Sequence, residues 1–343
     1  MKKLLNTLYI NSSDKYLALD GENIVIKESD TEVGRISLHN IEAVVTCGYA
    51  GVSPALMGAC AERNIALSFI TPYGTFLARV TGNEQGNVLV RKKQYQYADN
   101  EEISLQISKN FIIGKVFNSR WVIERVTRDH ALQVDVDNLK RSSEKIQEIL
   151  KRIPSAENVD CLRGLEGKAA DYYFSVFGQL ILQQKMDFSF QGRNRRPPLD
   201  NVNALLSFSY SLLEGMCYSA LEMVGLDPYV GFMHTLRPGR KSLALDLMEE
   251  LRSVYADRFV LSLINRREIV STDFVIREDG AVRLKDDARK SFLNAWQKRK
   301  QEVIMHPFLK EKVEWGMVPY VQALLLARYV RGDIEAYPPF LWK

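Results

Sequence analysis

The first 80 residues contain short stretches rich in β-branched and aromatic residues, separated by turn pairs such as Asp20-Gly21 and Tyr73-Gly74. This pattern is typical of strands joined by tight turns. One helix is predicted between the strands, because Ser53 suits an N-cap and Pro54 suits the first helical position. The predicted strands are Leu4–Ile10, Tyr16–Leu19, Asn23–Lys27, Gly34–Ser37, Ile41–Thr46, Ile65–Ile70 and Thr75–Val80.

The pattern becomes helical after the polar stretch TGNEQGN, and a linker is placed at residues 81–91. One hairpin is expected within FVIREDGAVRL, where Asp279-Gly280 supplies the turn. The predicted fold class is α+β: a small N-terminal β domain at residues 1–80, built as a sheet or sandwich with one helix, and then a larger all-α domain at residues 92–343. Its helices are predicted at Leu105–Arg128, Asn138–Ile153, Asn158–Leu182, Asn203–Val224, Leu243–Ile264, Asp286–Val303 and Trp315–Arg331.

The composition is that of a globular protein, with 343 residues, 46% hydrophobic and 26% charged, which excludes disorder and collagen-like repeats. Four scattered cysteines without a CxxC pair argue against a cysteine zinc site and a disulfide framework, and favour a reducing cytosol. No signal peptide or membrane span is predicted, so a soluble cytoplasmic protein is expected. The net charge of +4 divides into −1 for residues 1–80 and +5 for the rest.

Glu166 is the first candidate for chemistry. It lies in LRGLEGKAADYYF, and its neighbours on the same helical face include Leu162, Ala169 and Tyr173. A carboxylate on an apolar face is costly to bury unless it is paired or bound to a cation. The alternative is a glutamate at the rim of the helix that pairs with a lysine or an arginine.

His234 is the second candidate, at the start of the loop HTLRPGRKS. Arg237, Arg240 and Lys241 follow it closely, and this positive charge disfavours the imidazolium form. A neutral ring is the form that binds a metal ion. The alternative is a histidine with a structural role only.

Asp246 and Glu249 form the third candidate, in SLALDLMEELR. Their i,i+3 spacing places both carboxylates on one side of a helix, for which Ser242 is the predicted N-cap. Since they lie opposite a leucine stripe, the alternative is a solvated acidic face. Together with Glu166 and His234, they make a mixed oxygen and nitrogen ligand set suited to Mn²⁺ or Mg²⁺.

Two basic clusters are candidates for contacts with a phosphate backbone. The first contains Arg193, Arg195 and Arg196 before Pro197-Pro198, and the following helix has Asn203 as its predicted N-cap. The second is the group Arg237, Arg240 and Lys241, and Lys168 is a weaker candidate beside Glu166. The alternative for the first cluster is a solvated loop.

Four segments occur in an order that resembles a known family. They are LEGKAADYYF, RNRRPPLDNVNALLSFSYSLLEG, GLDPYVGFMH and LALDLMEELR, and the N-terminal LYINSSDKYLALDGENIVI is similar as well. The family is that of the first CRISPR-associated protein, the spacer-acquisition endonuclease and integrase, and the resemblance points to members from type I systems. It covers essentially the whole chain.

The resemblance implies an α-helical catalytic domain and a homodimer formed mainly by the β domains. It also implies a complex with the small second CRISPR-associated protein on double-stranded DNA, the prespacer and the repeat array. The family's metal-site glutamate and histidine correspond to Glu166 and His234, and its acidic pair corresponds to Asp246 and Glu249. The resemblance leaves open which of these two acids is the direct ligand.

The implied function is metal-dependent cleavage and strand transfer in CRISPR adaptation, in which a DNA 3′-hydroxyl attacks a phosphodiester. Two other classes remain open. One is a repair-type or mobile-element DNA nuclease or integrase, which would use the same ligands without a dedicated partner. The other is a non-catalytic DNA-binding scaffold, which would need the basic residues but no competent metal site.

Overall fold

The computed structural model describes residues 7–10, 12, 14–41, 43–47, 50–63, 65–70, 76–80, 88–194 and 197–343. The chain forms two compact units. The first holds Met1–Gln85, Asp286–Glu302 and Glu314–Met317, and the second holds Gly86–Lys285, Val303–Val313 and Val318–Lys343. The α+β fold class is confirmed, with strands in the N-terminal part and helices after it. The boundaries proposed at residues 1–80, 81–91 and 92–343 stay a prediction.

Two four-stranded sheets lie in the first unit. Their strands are β1 (Thr7–Ile10), β2 (Lys15–Asp20), β3 (Asn23–Glu28), β4 (Thr31–Ser37), β5 (Ala43–Cys47), β6 (Gly51–Val52), β7 (Ala66–Ile70) and β8 (Phe76–Val80). One sheet has the order β4–β3–β2–β6, antiparallel except between β2 and β6. The other has the order β1–β5–β7–β8, with only β8 antiparallel to its neighbour. The seven predicted strands are present with shifted ends, β6 is additional, and residues 4–6, 42 and 75 of the predicted strands lie outside the described residues.

The two sheets share a single apolar core. Leu17 and Ile24 contribute to it from one sheet, and Val44 and Leu67 contribute from the other. Leu56 adds the buried side of the helix Pro54–Glu62. The predicted cap of this helix is confirmed, since Ser53 Oγ accepts the Leu56 N–H at 3.2 Å.

Helices make up most of the second unit. In chain order the helices of the described residues are α1 (Pro54–Glu62), α2 (Val88–Asp99), α3 (Glu101–Asp129), α4 (Val136–Arg152), α5 (Val159–Phe177), α6 (Asn201–Met223), α7 (Ser242–Glu249), α8 (Arg258–Asn265), α9 (Asp286–Gln301) and α10 (Val318–Arg331). The 29-residue α3 packs against α2, α4, α5 and α7. Helix α3 therefore runs through the centre of the elements that carry the candidate site.

The first helix of this unit, α2, was not predicted. Its first residues, Val88–Arg91, fall in the proposed linker, whose remaining residues 81–87 lie outside the described residues. The helix has no continuous apolar stripe, and fully buried Gln94 is among the side chains that dock it. Gln94 Nε2 donates to the carbonyls of Asp227 and Val230, so tertiary hydrogen bonds stabilise α2 where sequence periodicity is weak.

Two predicted N-caps are wrong. Asp200, not Asn203, caps α6, because Asp200 Oδ1 accepts the Asn203 N–H at 2.7 Å. Ser242 is the first residue of α7 and its Oγ donates to the Thr235 carbonyl at 3.3 Å, outside any capping geometry. In both cases the polar side chain that was assigned to the cap is buried and binds a neighbouring loop instead.

The stretch predicted as one helix over Leu243–Ile264 is divided. Helix α7 ends at Glu249, a π-helical segment covers Arg252–Asp257, and α8 follows. π-Helical turns are frequent at functional sites, where they re-aim side chains. Here the acids Glu249, Glu250 and Asp257 are all buried, and their contacts with other helices override the regular helical pattern.

Two short hairpins complete the second half of the chain. Strands β9 (Phe274–Ile276) and β10 (Val282–Leu284) pair antiparallel, and Gly280 adopts a φ of +77° in their turn, which confirms the predicted hairpin. Strands β11 (Val303–Met305) and β12 (Lys312–Glu314) were not predicted. Within the described part of the chain, no helix has the length and apolar character to cross a membrane.

Candidate active site

A lysine bridges two carboxylates on separate helices. Lys115, in the middle of α3, contacts Glu166 Oε1 of α5 through its ammonium group. The same Nζ lies 2.8 Å from Glu249 Oε2 at the end of α7. The side chains are 15%, 22% and 5% exposed for Lys115, Glu166 and Glu249, so they are largely removed from water. The two carboxylates therefore share one cation in a partly dry site.

Asp246 fixes the ring of His234. Its Oδ1 lies 2.5 Å from His234 Nδ1 and accepts the His234 backbone N–H at 3.0 Å. Its Oδ2 accepts the N–H groups of Phe232 and Met233 at 2.7 and 3.1 Å. With both oxygens occupied, Asp246 orients the histidine and leaves Nε2 facing the site, 3.8 Å from Glu249 Oε1.

A glycine permits this close packing of the histidine loop. A Cβ at Gly231 would lie 2.6 Å from Asp246 Oδ2 and 2.7 Å from the Ser242 carbonyl carbon. Any side chain at this position would push the loop away from α7. The glycine of GFMH therefore has a packing role that the sequence pattern alone did not reveal.

Three helices hold the loop that carries His234. Gln94 of α2 accepts the Asp227 N–H through its Oε1 at 2.8 Å. Ser104 of α3 donates to the Phe232 carbonyl at 2.9 Å, and Arg163 of α5 donates to the Met233 carbonyl at 2.5 Å. Since Arg163 lies one turn before Glu166 on α5, the loop and Glu166 are positioned by the same helix.

Two basic side chains and a histidine surround Glu249. Arg252 Nη2 lies 3.0 Å from Glu249 Oε1, and Lys115 and His234 face the same carboxylate. Burial, the largest influence, raises the pKa of Glu249, but Arg252, Lys115 and His234 together overcome it and lower the pKa to about 2. Glu249 thus remains an anion throughout the physiological range despite being buried.

The interpretation of Asp246 and Glu249 as a solvated acidic face is wrong. Asp246 is 0% exposed and Glu249 is 4% exposed. The leucine stripe of α7 packs on one side, while Asp246 and Glu249 bind the histidine loop, α3 and the π-helical segment on the other. Both sides of this short helix are consequently buried.

The donor set fits a divalent cation. Glu166, His234 and Glu249 offer two carboxylates and an imidazole, which suit Mn²⁺ or Mg²⁺. The bridging ammonium of Lys115 shows that the two carboxylates can hold a cation between them. Among the described residues, no three His, Cys, Asp or Glu side chains stand as a preformed metal cluster. The two candidate carboxylate ligands are held together by a lysine.

Comparisons with known proteins identify the family. A CRISPR-associated endonuclease Cas1 of Rhodospirillum rubrum is 51% identical over 347 residues, and the match covers 100% of both chains. The family model of CRISPR associated protein Cas1 matches residues 8–298. The chain belongs to the Cas1 family. This confirms the resemblance found in the four sequence segments and the predicted enzyme class, a CRISPR-associated endonuclease.

Solved structures share the Cas1 fold. A casposase bound to integration product has a TM-score of 0.83 at 24% identity, and the match covers 98% of this chain and 93% of that one. A chain of a Cas6-RT-Cas1–Cas2 complex has a TM-score of 0.82 at 24% identity, covering 100% of this chain and 36% of that one. At these identities the likeness concerns the fold.

Two of the basic residues predicted to bind DNA have contacts within the protein. Arg193 is half-buried: its Nη1 donates to Asn203 Oδ1 at 2.6 Å, and its guanidinium lies over the Tyr210 ring at 5.2 Å. Lys241 Nζ lies 3.1 Å from Glu214 Oε1. Both side chains therefore have partners within the protein. The alternative of a solvated loop does not describe Arg193.

The other basic residues are more accessible. Lys168 and Arg237 are exposed, and Arg240 is half-buried in the loop after His234. Arg195 and Arg196 lie outside the described residues. The role of the whole basic set in DNA binding stays a prediction.

Three residues at the site were not predicted from the sequence: Lys115, Arg252 and Glu250. Lys115 interrupts an apolar helical stretch, ISKNFIIGKVF, which is the one signal that marks a buried charge there. Glu250 is fully buried, accepts the Phe340 N–H at 2.6 Å and also contacts the Tyr337 hydroxyl. It thereby anchors the C-terminal segment to the end of the helix that carries Glu249.

A pocket opens beside Glu166 and Lys115, with Arg252, Tyr173 and Tyr210 among its lining residues. The two tyrosine hydroxyls donate to Asp257 at 3.0 and 2.6 Å. Burial raises the pKa of Asp257 to about 6, against the opposing effect of these hydroxyl donors. This network fixes the π-helical segment that presents Arg252 to Glu249.

Proposed function

We propose that this protein is a metal-dependent DNA endonuclease and integrase of CRISPR adaptation. It inserts new spacers into the repeat array by attack of a DNA 3′-hydroxyl on a phosphodiester. The observation that carries the proposal is the cluster around Glu249 of α7, which shares the Lys115 ammonium with Glu166 of α5 and lies 3.8 Å from His234 Nε2.

Glu166, His234 and Glu249 are the proposed ligands of Mn²⁺ or Mg²⁺. When bound, such an ion polarises the attacked phosphodiester and aids deprotonation of the hydroxyl nucleophile. Asp246 is assigned a positioning role instead, since its two oxygens accept three backbone N–H groups and face His234 Nδ1. Such partners on the far side of a ligating histidine hold the ring in its binding orientation.

The chain's own cations complete the site. Arg252 lies against Glu249 and keeps that carboxylate ionised and oriented. Lys168 and Arg237, which are exposed, are proposed to contact the DNA backbone without reading sequence. Arg240, Lys241, Arg193, Arg195 and Arg196 extend the proposed phosphate-binding set, with Lys241 and Arg193 acting from the positions fixed by Glu214 and Asn203.

The proposed partners follow from the same function. They are double-stranded DNA in the form of prespacer and repeat array, a second copy of the chain joined through the β domain, and the small second CRISPR-associated protein. The fold shared with a chain of a Cas1–Cas2 complex supports this assembly. A cytoplasmic location and a type I system of origin belong to the same proposal.

The test is half-site integration of a short duplex into a plasmid that carries a repeat, with Mn²⁺ or Mg²⁺ present. Glu166→Gln and His234→Ala proteins are expected to lose integration while keeping their fold and DNA affinity. Glu148→Gln and His130→Ala, which change exposed residues away from the site, serve as matched controls. Integration at the wild-type rate by either site variant would contradict the proposed metal site.

The same assay separates the alternative functions. A repair-type nuclease would process branched DNA equally well without the small partner and without a repeat. A scaffold would bind DNA, yet show neither Mn²⁺-dependent cleavage nor any effect of Glu166→Gln. The proposal requires joining at the repeat that depends on both the ligands and the partner.

A further inference from the structure

The Lys115 ammonium occupies the position between Glu166 and Glu249. It touches one oxygen of each carboxylate, and those two residues are the proposed metal ligands. A divalent ion held by both carboxylates needs that same position. Two cations so close together repel strongly in a site shielded from water. The ammonium and the metal ion therefore compete for one place.

The backbone next to Lys115 is closely packed, which leaves the side chain as the part that can move most easily. Gly114, the preceding residue of α3, packs so closely on α7 that a Cβ there would lie 2.7 Å from Glu250 Cβ. Lysine carries its charge on a flexible four-carbon stem. Helix α3 can thus remain in place while the ammonium swings away from the carboxylates.

The structure also offers room for this movement. The pocket beside Glu166 includes Lys115 itself in its lining, together with Ser119, Ala169 and Ala170. These are small side chains, and the serine hydroxyl is a hydrogen-bonding group. A displaced ammonium can enter this pocket and stay hydrated.

We infer that Lys115 is a built-in counter-cation that a divalent metal ion must displace, and that it therefore sets the metal affinity of the site. The inference rests on the proposed function, in that Glu166, His234 and Glu249 are taken as the metal ligands. In the metal-free protein, Lys115 offsets part of the negative charge of the two carboxylates and keeps the ligands together. In the metal-loaded protein, it is released from both carboxylates.

The first test measures Mn²⁺ binding by calorimetry on the full-length protein, without DNA. Lys115→Met removes the charge at similar length, and Lys109→Met is the control on the same helix, where Nζ donates to the Pro154 carbonyl at 2.8 Å. Lys115→Met is expected to bind Mn²⁺ at least tenfold more tightly than wild type. It should melt at a lower temperature in EDTA and gain a larger rise in melting temperature from Mn²⁺. Lys109→Met should match wild type in affinity and in the Mn²⁺-induced rise.

A purely structural salt bridge would give a different result. Lys115→Met would then melt lower in EDTA, but its Mn²⁺ affinity would equal that of wild type or fall below it, and this would overturn the inference. If Lys115→Met does not fold, Lys115→Gln is measured in its place. Glu166→Gln is expected to abolish Mn²⁺ binding in both wild type and Lys115→Met. If neither protein shows Mn²⁺ binding that depends on Glu166, the metal site of the proposed function is itself overturned.

The second test needs no variant. The rate at which an amine-reactive reagent acylates Lys115 is followed by peptide mass spectrometry with and without Mn²⁺. Displacement predicts a rate at least threefold higher with Mn²⁺, and an unchanged rate at Lys109. Labelling of Lys115 that is unaffected or slowed by bound Mn²⁺ would overturn the inference.

Discussion

Glu249 and Glu250 are neighbours in sequence and both are buried, yet their surroundings are opposite. Glu249 faces Lys115, Arg252 and His234, and its pKa is lowered to about 2. Glu250 accepts hydrogen bonds from neutral donors, the Phe340 N–H and the side chains of Gln322 and Tyr337. Burial raises the pKa of Glu250 to about 7, despite these hydrogen bonds.

The difference arises because consecutive residues of a helix point in directions about 100° apart. One direction leads from the end of α7 to the lysine and the histidine loop, and the other leads to the C-terminal segment. Glu249 is kept as an anion at the proposed metal site. Glu250, whose pKa is raised to about 7, anchors Tyr337 and Phe340. Burial alone does not distinguish these two carboxylates, but the charge of their partners does.

The largest expected effect separates the two residues in activity. Glu249→Gln removes a proposed anionic metal ligand and is expected to lower half-site integration at least about 100-fold, because metal-assisted charge stabilisation contributes several kcal/mol. Glu250→Gln should remain within about tenfold of wild type, since an amide can still accept the Phe340 N–H. Equal losses in the two variants would break the distinction between them.

The second effect is on stability as a function of pH, measured in EDTA. Between pH 4.5, the ordinary pKa of a glutamate, and about 7, folded Glu250 retains a proton that the unfolded chain releases. The free energy of unfolding should therefore fall by up to about 3 kcal/mol as pH rises through this window. Urea unfolding at several pH values should show that Glu250→Gln removes much of this fall.

Glu249 contributes with the opposite sign. Its folded pKa of about 2 lies below the ordinary 4.5, so its stabilising contribution is present above pH 4.5 and is lost as pH falls toward 2. Glu249→Gln should accordingly flatten the acid side of the stability profile and leave the range around pH 6 unaltered in slope. If the slope near pH 6 changed in Glu249→Gln, the titration in that range would belong to Glu249 and not to Glu250, which would contradict the prediction.

The third effect concerns Asp246, which binds the histidine loop and not the cation. Asp246→Asn replaces one carboxylate oxygen, an acceptor, by an amide NH2 group, a donor that opposes the N–H donors around it, so His234 loses its fixed orientation. Mn²⁺ affinity is expected to fall roughly 10–100-fold, as is usual when the partner of a ligating histidine is removed. Asp171→Asn, at an exposed position on α5, is the control. Wild-type Mn²⁺ affinity in Asp246→Asn would contradict the positioning role.

The smallest effect comes from the loop packing. Gly231→Ala forces a Cβ to within 2.6 Å of Asp246 Oδ2, and overpacking of this kind costs about 1–3 kcal/mol. Thermal unfolding should show that loss. Gly215→Ala, on α6 with open space around the new methyl group, should instead stabilise by up to about 1 kcal/mol. Similar melting temperatures for Gly231→Ala and wild type would show that the loop does not depend on this contact.

Local signals predicted much of the fold. Ser53 and Pro54 identified α1, and Asp279-Gly280 identified the hairpin, because capping and turn preferences act over a few residues. The division of Leu243–Ile264 into α7, a π-helical segment and α8 was not predicted. It depends on partners from other helices, such as the tyrosines that bind Asp257.

The site was predictable only in part. The resemblance in sequence segments picked out Glu166, His234, Asp246 and Glu249, but it left the two acids of α7 equivalent. Their separation into a cation-facing Glu249 and a histidine-binding Asp246 is a matter of three-dimensional contacts. Lys115 was missed because it lies 51 residues from Glu166 in the chain, with no sequence pattern that joins them.

The most direct measurement is an anomalous difference map from crystals of the full-length protein soaked in Mn²⁺. The account predicts one peak within bonding distance of Glu166, His234 Nε2 and Glu249, with Asp246 still bound to His234 Nδ1 and Lys115 moved away from both glutamates. A peak coordinated by Asp246, or no peak among these side chains at saturating Mn²⁺, would contradict it.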